Sequence, residues 1–116
     1  MGVTFYETTS FTEGVAKLRA ETQCLDLKQE LARNPEKGDL LRGTGGFRKT
    51  RMRLPNRGKS GGARVIYYYL SRNGTIYLVA LYAKNVQENL SAQQTKQLKI
   101  LSTTIESKIQ EAKDHE

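Results

Sequence analysis

The sequence predicts an α+β fold with the element order β-αα-βββ-α. Three observations carry it. Short segments alternate with period two at residues 3–8 and 47–54, residues 63–70 are rich in β-branched and aromatic side chains, and an apolar run follows at 75–83. Helical apolar spacing follows two capping-box patterns, Ser10-x-x-Glu13 and Ser91-x-x-Gln94. Proline and glycine punctuate the intervals between these segments.

Taken in order, Val3 and Phe5 alternate with Thr4 and Tyr6, which gives a first strand. Ser10 then begins a helix with Phe11, Val15 and Leu18 on one face. A second helix is expected over 23–32, with Leu25, Leu27 and Leu31 as its apolar positions. It must stop near Asn34, because Pro35 disfavours helix at the residue before it. The two form a helical hairpin. Residues 38–46 read as a loop, and 47–54 as a strand alternating cations with less polar residues. The run from Pro55 to Gly62 cannot continue that strand, whereas 63–70 is rich in β-branched and aromatic residues. Asn73-Gly74 is a two-residue turn signal into the apolar run, which suits a doubly covered central strand, so the three strands form a meander. Leu98, Leu101, Ile105, Ile109 and Ala112 step along a last helix, and the final residues should fray.

Length and composition fit one domain over 1–116. The single cysteine, Cys24, cannot close an internal disulfide. The N-terminus lacks the pattern of a secretory leader, and no stretch approaches the roughly 18 apolar residues of a membrane span. A cytoplasmic protein without membrane contact is expected.

Net charge is +7, and its distribution says more than its total. No acid occurs between Asp39 and Glu88, an interval holding Arg42, Arg48, Lys49, Arg51, Arg53, Arg57, Lys59, Arg64, Arg72 and Lys84. Those ten cations leave −3 for the rest of the chain. A surface with one sign of charge points to an anionic partner, and a hairpin of this charge points to RNA phosphates. Lys49, Arg51 and Arg53 share a face by period two, and the next strand can bring Arg64 beside them. Tyr82 and Lys84 share a face at the end of the apolar run, where side chains leaving a buried sheet line sites or simply end a strand. Among Tyr67, Tyr68 and Tyr69, neighbours must point to opposite faces, so one is expected in the core and another is free to stack on a base.

Other motifs fail on their own chemistry. Gly58-Lys59-Ser60 has Arg53 where a phosphate-binding P-loop needs glycine. Gly43-Thr44-Gly45-Gly46 lacks the third glycine of a dinucleotide fingerprint and reads as a turn. His115, the only histidine, lies in the tail, which argues against a histidine acid–base pair or a histidine-ligated metal. Cys24 falls within a helical pattern and reads as a buried residue rather than a nucleophile.

The segments Gly43-Thr44-Gly45-Gly46-Phe47-Arg48-Lys49-Thr50-Arg51, Gly58-Lys59-Ser60-Gly61-Gly62-Ala63-Arg64-Val65-Ile66-Tyr67-Tyr68 and Tyr82-Ala83-Lys84-Asn85, in this order, resemble the RelE superfamily of bacterial toxins, and within it the HigB-like branch. The likeness covers essentially the whole chain. It implies a small, mostly antiparallel sheet packed by the helical hairpin and the last helix. It further implies a type II toxin that enters the ribosomal A site and cuts mRNA there without a metal or cofactor. The implied partners are the ribosome with its rRNA and mRNA, and a cognate helix-turn-helix antitoxin through which alone the toxin meets DNA.

By family position Lys49, Arg51 and Arg64 match basic active-site residues. Arginine suits the charge that builds on a phosphorane, so Arg51 and Arg64 are expected to stabilise the transition state. Lys49, Lys84 and Tyr82 are the candidates for proton transfer, since nearby cations favour a neutral amine. Asn85 stands where such toxins often carry a further cation. Arg48, Arg53, Arg57, Lys59 and Arg72 are expected to grip ribosomal RNA. Two other readings share this fold or charge: a ParE-type inhibitor of DNA gyrase, and a non-catalytic RNA-binding module.

Overall fold

The computed structural model describes residues 2–55, 62–83 and 89–114, with side chains as far as 108 in the last helix. The elements are β1 (Thr4–Glu7), α1 (Thr9–Lys17), α2 (Glu21–Arg33), β2 (Asp39–Leu40), β3 (Phe47–Met52), β4 (Ala63–Leu70), β5 (Thr75–Ala83) and α3 (Ala92–Asp114). The expected α+β order is present, with one additional strand, β2.

All five strands form one sheet in the order β1-β5-β4-β3-β2. β1 runs parallel to β5, and every other neighbouring pair is antiparallel. One face carries Met52, Ala63, Val65, Tyr67, Ile76 and Leu78, packed against Phe11 and Val15 of α1 and Cys24, Leu27 and Leu31 of α2. The opposite face carries Phe47, Ile66, Tyr68 and Leu70 under Leu98, Leu101 and Ile105 of α3. β4 is therefore apolar along nearly its whole length because both of its faces are covered.

Several local expectations need correction. The first helix begins at Thr9, and its cap is Thr8, whose hydroxyl accepts the Phe11 N–H at 3.1 Å and donates to the Val79 carbonyl at 3.0 Å. Ser10 is an exposed residue of the first turn, because Thr8 has already satisfied the N–H that a cap would serve. In α2 the buried stripe is Cys24, Leu27 and Leu31, so Leu25 falls one residue off it and is 56% exposed. β3 stops at Met52 rather than running to residue 54. The Ser91 capping box forms as expected: the Gln94 N–H donates to the Ser91 hydroxyl at 3.1 Å, and the Ser91 N–H to the Gln94 side chain at 2.9 Å.

β2 is only two residues long and has no period to read, yet it pairs Asp39 with Lys49 and Leu40 with Arg48. Tyr67 fixes its approach. The fully buried Tyr67 hydroxyl donates to the Pro35 carbonyl and accepts the Gly38 N–H, each at 2.8 Å. A side chain at Gly38 would meet that hydroxyl at 2.9 Å, so only glycine fits. The turn before β3 is held by the buried Thr44 hydroxyl, which donates to the Leu41 carbonyl and accepts the Phe47 N–H. Gly45 there takes a positive φ against Ser102 of α3, which confirms a turn in place of a dinucleotide loop.

The ladder joining β4 to β5 is irregular. Between Ile66 and Tyr67 the pairing shifts: Tyr67 faces Leu78 while Ile66 faces Ala80, so Val79 is the extra residue of a β-bulge. Thr8 anchors the bulge, donating its hydroxyl to the Val79 carbonyl and its N–H to the Leu78 carbonyl, each at 3.0 Å.

Candidate nucleic-acid interface

The register of the three central strands places Arg51 opposite Arg64, and Arg64 opposite Tyr82. Partners across a ladder share a face, so the three side chains form one row, with about 10 Å between the outer backbones. Lys49 lies two residues along β3 on the same face, opposite Ile66. This is the face that α3 covers farther along the sheet, where Phe47, Ile66 and Tyr68 pack beneath it.

The bulge places Tyr82 in the row. Had the register of Leu70 with Thr75 run on unbroken, Arg64 would face Leu81 and Tyr82 would point toward α1 and α2. Leu81 instead packs on the helical-hairpin side, and Tyr82 joins Leu90 and Leu98 on the other.

The Tyr82 ring is half-buried, and its hydroxyl is buried without a hydrogen-bond partner among the described residues. Burial pushes this phenol above its ordinary pKa and the Arg64 charge only partly opposes the shift, so Tyr82 carries its proton at neutral pH. Arg51 is exposed and Arg64 partly so. An Arg64 Nη1 donates to the Ala63 carbonyl at 3.4 Å, which turns its guanidinium toward the start of β4. Two guanidiniums side by side, with a protonated hydroxyl at the end of the row, make a site for an anion whose oxygens accept several hydrogen bonds.

The other sequence candidates scatter. Arg53 is exposed just beyond β3, close to the row. Arg48 lies on the opposite face, donating to the carbonyls of Glu36 at 3.0 Å and Gly38 at 2.7 Å and pairing with the Glu36 carboxylate at 3.5 Å. It fastens the α2–β2 connection. Arg72 pairs with Glu106 of α3. Linear charge counting missed both acids because they arrive from outside the acid-free interval. Arg57, Lys59, Lys84 and Asn85 lie outside the described residues, as do Gly58-Lys59-Ser60 and His115.

The tyrosine run is resolved. Tyr67 is core, Tyr69 packs against the same cluster, and Tyr68 lies on the α3 face with its hydroxyl donating to Glu106 at 2.7 Å. Burial, with that carboxylate next, pushes Tyr68 up to about 12. None of the three is left over for stacking on a base. Cys24 is buried, and its thiol is pushed up by burial, as an inert core cysteine should be.

Sequence reasoning also missed a groove on the helical-hairpin side of the sheet, where α2 passes the ends of β3 and β4. Arg51, Arg64 and Gly62 lie on one side and Gln23, Asp26 and Leu27 on the other. Only the α2 hydrophobic stripe was readable there, and polar residues flanking such a stripe look like ordinary surface.

Fold and site together define a small α+β protein with two arginines and a tyrosine in one cross-strand row. The sequence model of the family described as "RelE toxin of RelE / RelB toxin-antitoxin system" matches residues 13–114, and the chain belongs to this RelE toxin family. Three solved structures share the fold. The free Escherichia coli toxin RelE, as a double arginine-to-alanine variant, has 17% identity and a TM-score of 0.51, covering 76% of this chain and 90% of that one. The Mycobacterium tuberculosis toxin–antitoxin complex RelBE2 has 20% identity and a TM-score of 0.50, covering 72% and 99%. The Pyrococcus horikoshii RelE–RelB complex has 21% identity and a TM-score of 0.53, covering 75% and 100%. Among the described residues no helix is long and apolar enough to cross a membrane.

Proposed function

We propose that this toxin is an endoribonuclease that cuts mRNA in the ribosomal A site and so halts translation. The observation that carries the reading is the Arg51–Arg64–Tyr82 row: two guanidiniums in cross-strand register beside a buried, protonated hydroxyl with no partner among the described residues. In the proposed reaction the ribose 2′-oxygen loses its proton and bonds to the adjacent phosphorus. The bond from phosphorus to the 5′-oxygen breaks, leaving a 2′,3′-cyclic phosphate and a 5′-hydroxyl. Arg51 and Arg64 hold the non-bridging oxygens as charge builds there. Tyr82 donates its proton to the departing 5′-oxygen. Lys49, on the same face, and Lys84 are the candidates to take the 2′-proton.

No step is assigned to a metal or cofactor. Arg53, with Arg57 and Lys59, extends the cationic surface toward ribosomal RNA, and salt should weaken that docking. Arg48 and Arg72 contribute less, because each already has a carboxylate partner. Alignment of the message by the ribosome supplies much of the acceleration, so free RNA is a poor substrate. The segment running from Gly61-Gly62 through Tyr67-Tyr68 supports placement in the HigB-like branch, where the partner is a helix-turn-helix antitoxin. The RelB-bound relatives favour a neutralising antitoxin in either case.

Brief expression followed by primer-extension mapping of mRNA 5′ ends tests this reading. New ribosome-dependent ends that vanish with Arg64→Ala support it. Intact mRNA with inhibited supercoiling would replace it by gyrase inhibition, and intact mRNA with neither effect by a binding module.

A further inference from the structure

Successive carbonyls of a regular strand point to opposite neighbours. Beside the end of β1 those of β5 do not. The Leu78 oxygen accepts the Thr8 N–H, and the next oxygen along β5, that of Val79, accepts the Thr8 hydroxyl, each at 3.0 Å. Val79 has no partner in β4, where Tyr67 pairs with Leu78 and Ile66 with Ala80. β1 ends at Glu7, and the donor that meets the Val79 carbonyl in this part-buried place is a side chain.

The same hydroxyl accepts the Phe11 N–H at 3.1 Å as the cap of α1. Its two roles are chemically separable: the helix needs an acceptor and the bulge needs a donor. What the donor holds is the pair of faces on which β5 ends. With the bulge in place, Leu81 lies toward the helical hairpin, 3.4 Å from where a side chain on Gly14 of α1 would begin, and Tyr82 lies across the ladder from Arg64. Without it the two residues exchange faces, because a slip of one residue turns every side chain over. A leucine would then stand beside Arg64, and it has no proton to give.

We propose that Thr8 is a positioning residue for the cleavage: its hydroxyl holds the bulge at Val79, and the bulge keeps Tyr82 in the row with Arg51 and Arg64. Thr8 touches no reacting atom and acts through Tyr82. Bulges beside reactive sites commonly re-aim a side chain in this way. The proposal rests on the ribonuclease reading and adds to it a residue on the far side of β5 from the arginines, at the junction of β1 with α1.

Thr8→Asp separates the two roles, since an ionised carboxylate caps a helix as well as threonine does but cannot donate to Val79. Thr8→Ser keeps both. On programmed ribosomes Thr8→Asp should lower kcat about tenfold or more with little change in KM, and Thr8→Ser should rescue the rate. In a Tyr82→Phe background Thr8→Asp should change the rate by less than about twofold, because the residue it acts through is already disabled. A loss that persists undiminished in that background makes Thr8 a general structural residue and overturns the proposal. Placement is read without RNA: fluorotyrosine at position 82 reports, by nuclear Overhauser contacts of its fluorine, which face of the sheet the ring is on. Thr8→Asp should lose the contacts on the α3 face and Thr8→Ser should keep them; contacts that survive Thr8→Asp overturn the proposal. Should Thr8→Asp fail to fold, Thr8→Val, which has the same shape and no hydroxyl, makes the same comparisons. If the wild type cuts no message, the ribonuclease reading fails on its own, and the role in cleavage falls with it. The fluorine contacts then still decide whether Thr8 sets the face of Tyr82.

Discussion

Arg51 of β3 and Arg64 of β4 are direct cross-strand partners, two like charges held face to face in a register fixed by the apolar pairs around them. Such a pair weakens a sheet by a few tenths of a kcal/mol or more, so folding alone does not account for it. Arg51→Ala should therefore leave the thermal midpoint unchanged or raise it slightly, while ribosome-dependent cleavage falls about 100-fold or more. Arg64→Lys should recover little, because a lysine cannot give two parallel donors to a phosphate. Calorimetry beside the 5′-end assay checks both. A midpoint that drops by several degrees in Arg51→Ala would mean that the pair is structural.

Tyr82→Phe makes an opposite pair of demands on the protein. A buried hydroxyl without a partner costs about 1–3 kcal/mol, and Tyr82 has none among the described residues, so its removal should stabilise the fold by roughly 1 kcal/mol in urea titration. Cleavage should fall about 100-fold or more if the phenol is the proton donor to the 5′-oxygen. A substrate whose 5′-oxygen is replaced by sulfur needs no such proton and should restore the rate. Stabilisation without a loss of rate would remove Tyr82 from the reaction.

The Arg51–Arg64 relationship was half legible in the sequence. Period two placed Lys49 and Arg51 together, and the glycine-rich connection made an antiparallel partner for them inevitable. Joining Tyr82 to the row was a different matter. Its face depends on the bulge at Val79, which in turn depends on Thr8, 71 residues earlier in the chain, and an apolar run of 75–83 carries no mark of a skipped residue. The charges show the same limit. Arg48 and Arg72 stand in a run without acids, yet Glu36 and Glu106 reach them in space. Local pattern gives strands and faces, whereas long-range hydrogen bonds decide which face a strand end finally presents.

Tyr67 and Tyr68 offer a matched comparison of two buried phenols. Tyr67→Phe leaves the buried Gly38 N–H and the part-buried Pro35 carbonyl without their partner. The expected loss is about 2 kcal/mol, within the range for orphaned buried groups. Tyr68→Phe leaves only Glu106, which is exposed enough to hydrate and still has Arg72. That change should cost less than about 1 kcal/mol. Chemical denaturation of the two variants side by side decides the order, and a reversed order would contradict the proposed anchoring of β2 by Tyr67.

Acid should loosen the junction of β1 with the helical hairpin. Burial alone would raise the Glu7 carboxyl, but the Lys28 ammonium at 2.6 Å and the Thr12 hydroxyl at 2.8 Å outweigh it and hold the group below its ordinary value. A carboxyl depressed in the folded state favours folding wherever it is ionised. That contribution is complete above the unfolded value of about 4.3 and is lost as pH falls through the lower folded value. Glu7→Gln removes the charge and keeps the shape. It should be less stable than the wild type by about 1 kcal/mol at pH 7, the scale of a partly buried pair. As pH falls below about 4.3 the gap should narrow, because the wild-type carboxyl is then increasingly protonated as well. Urea midpoints for both proteins between pH 2.5 and pH 7 measure this, and a gap that stays constant over that range would assign the effect to packing rather than charge.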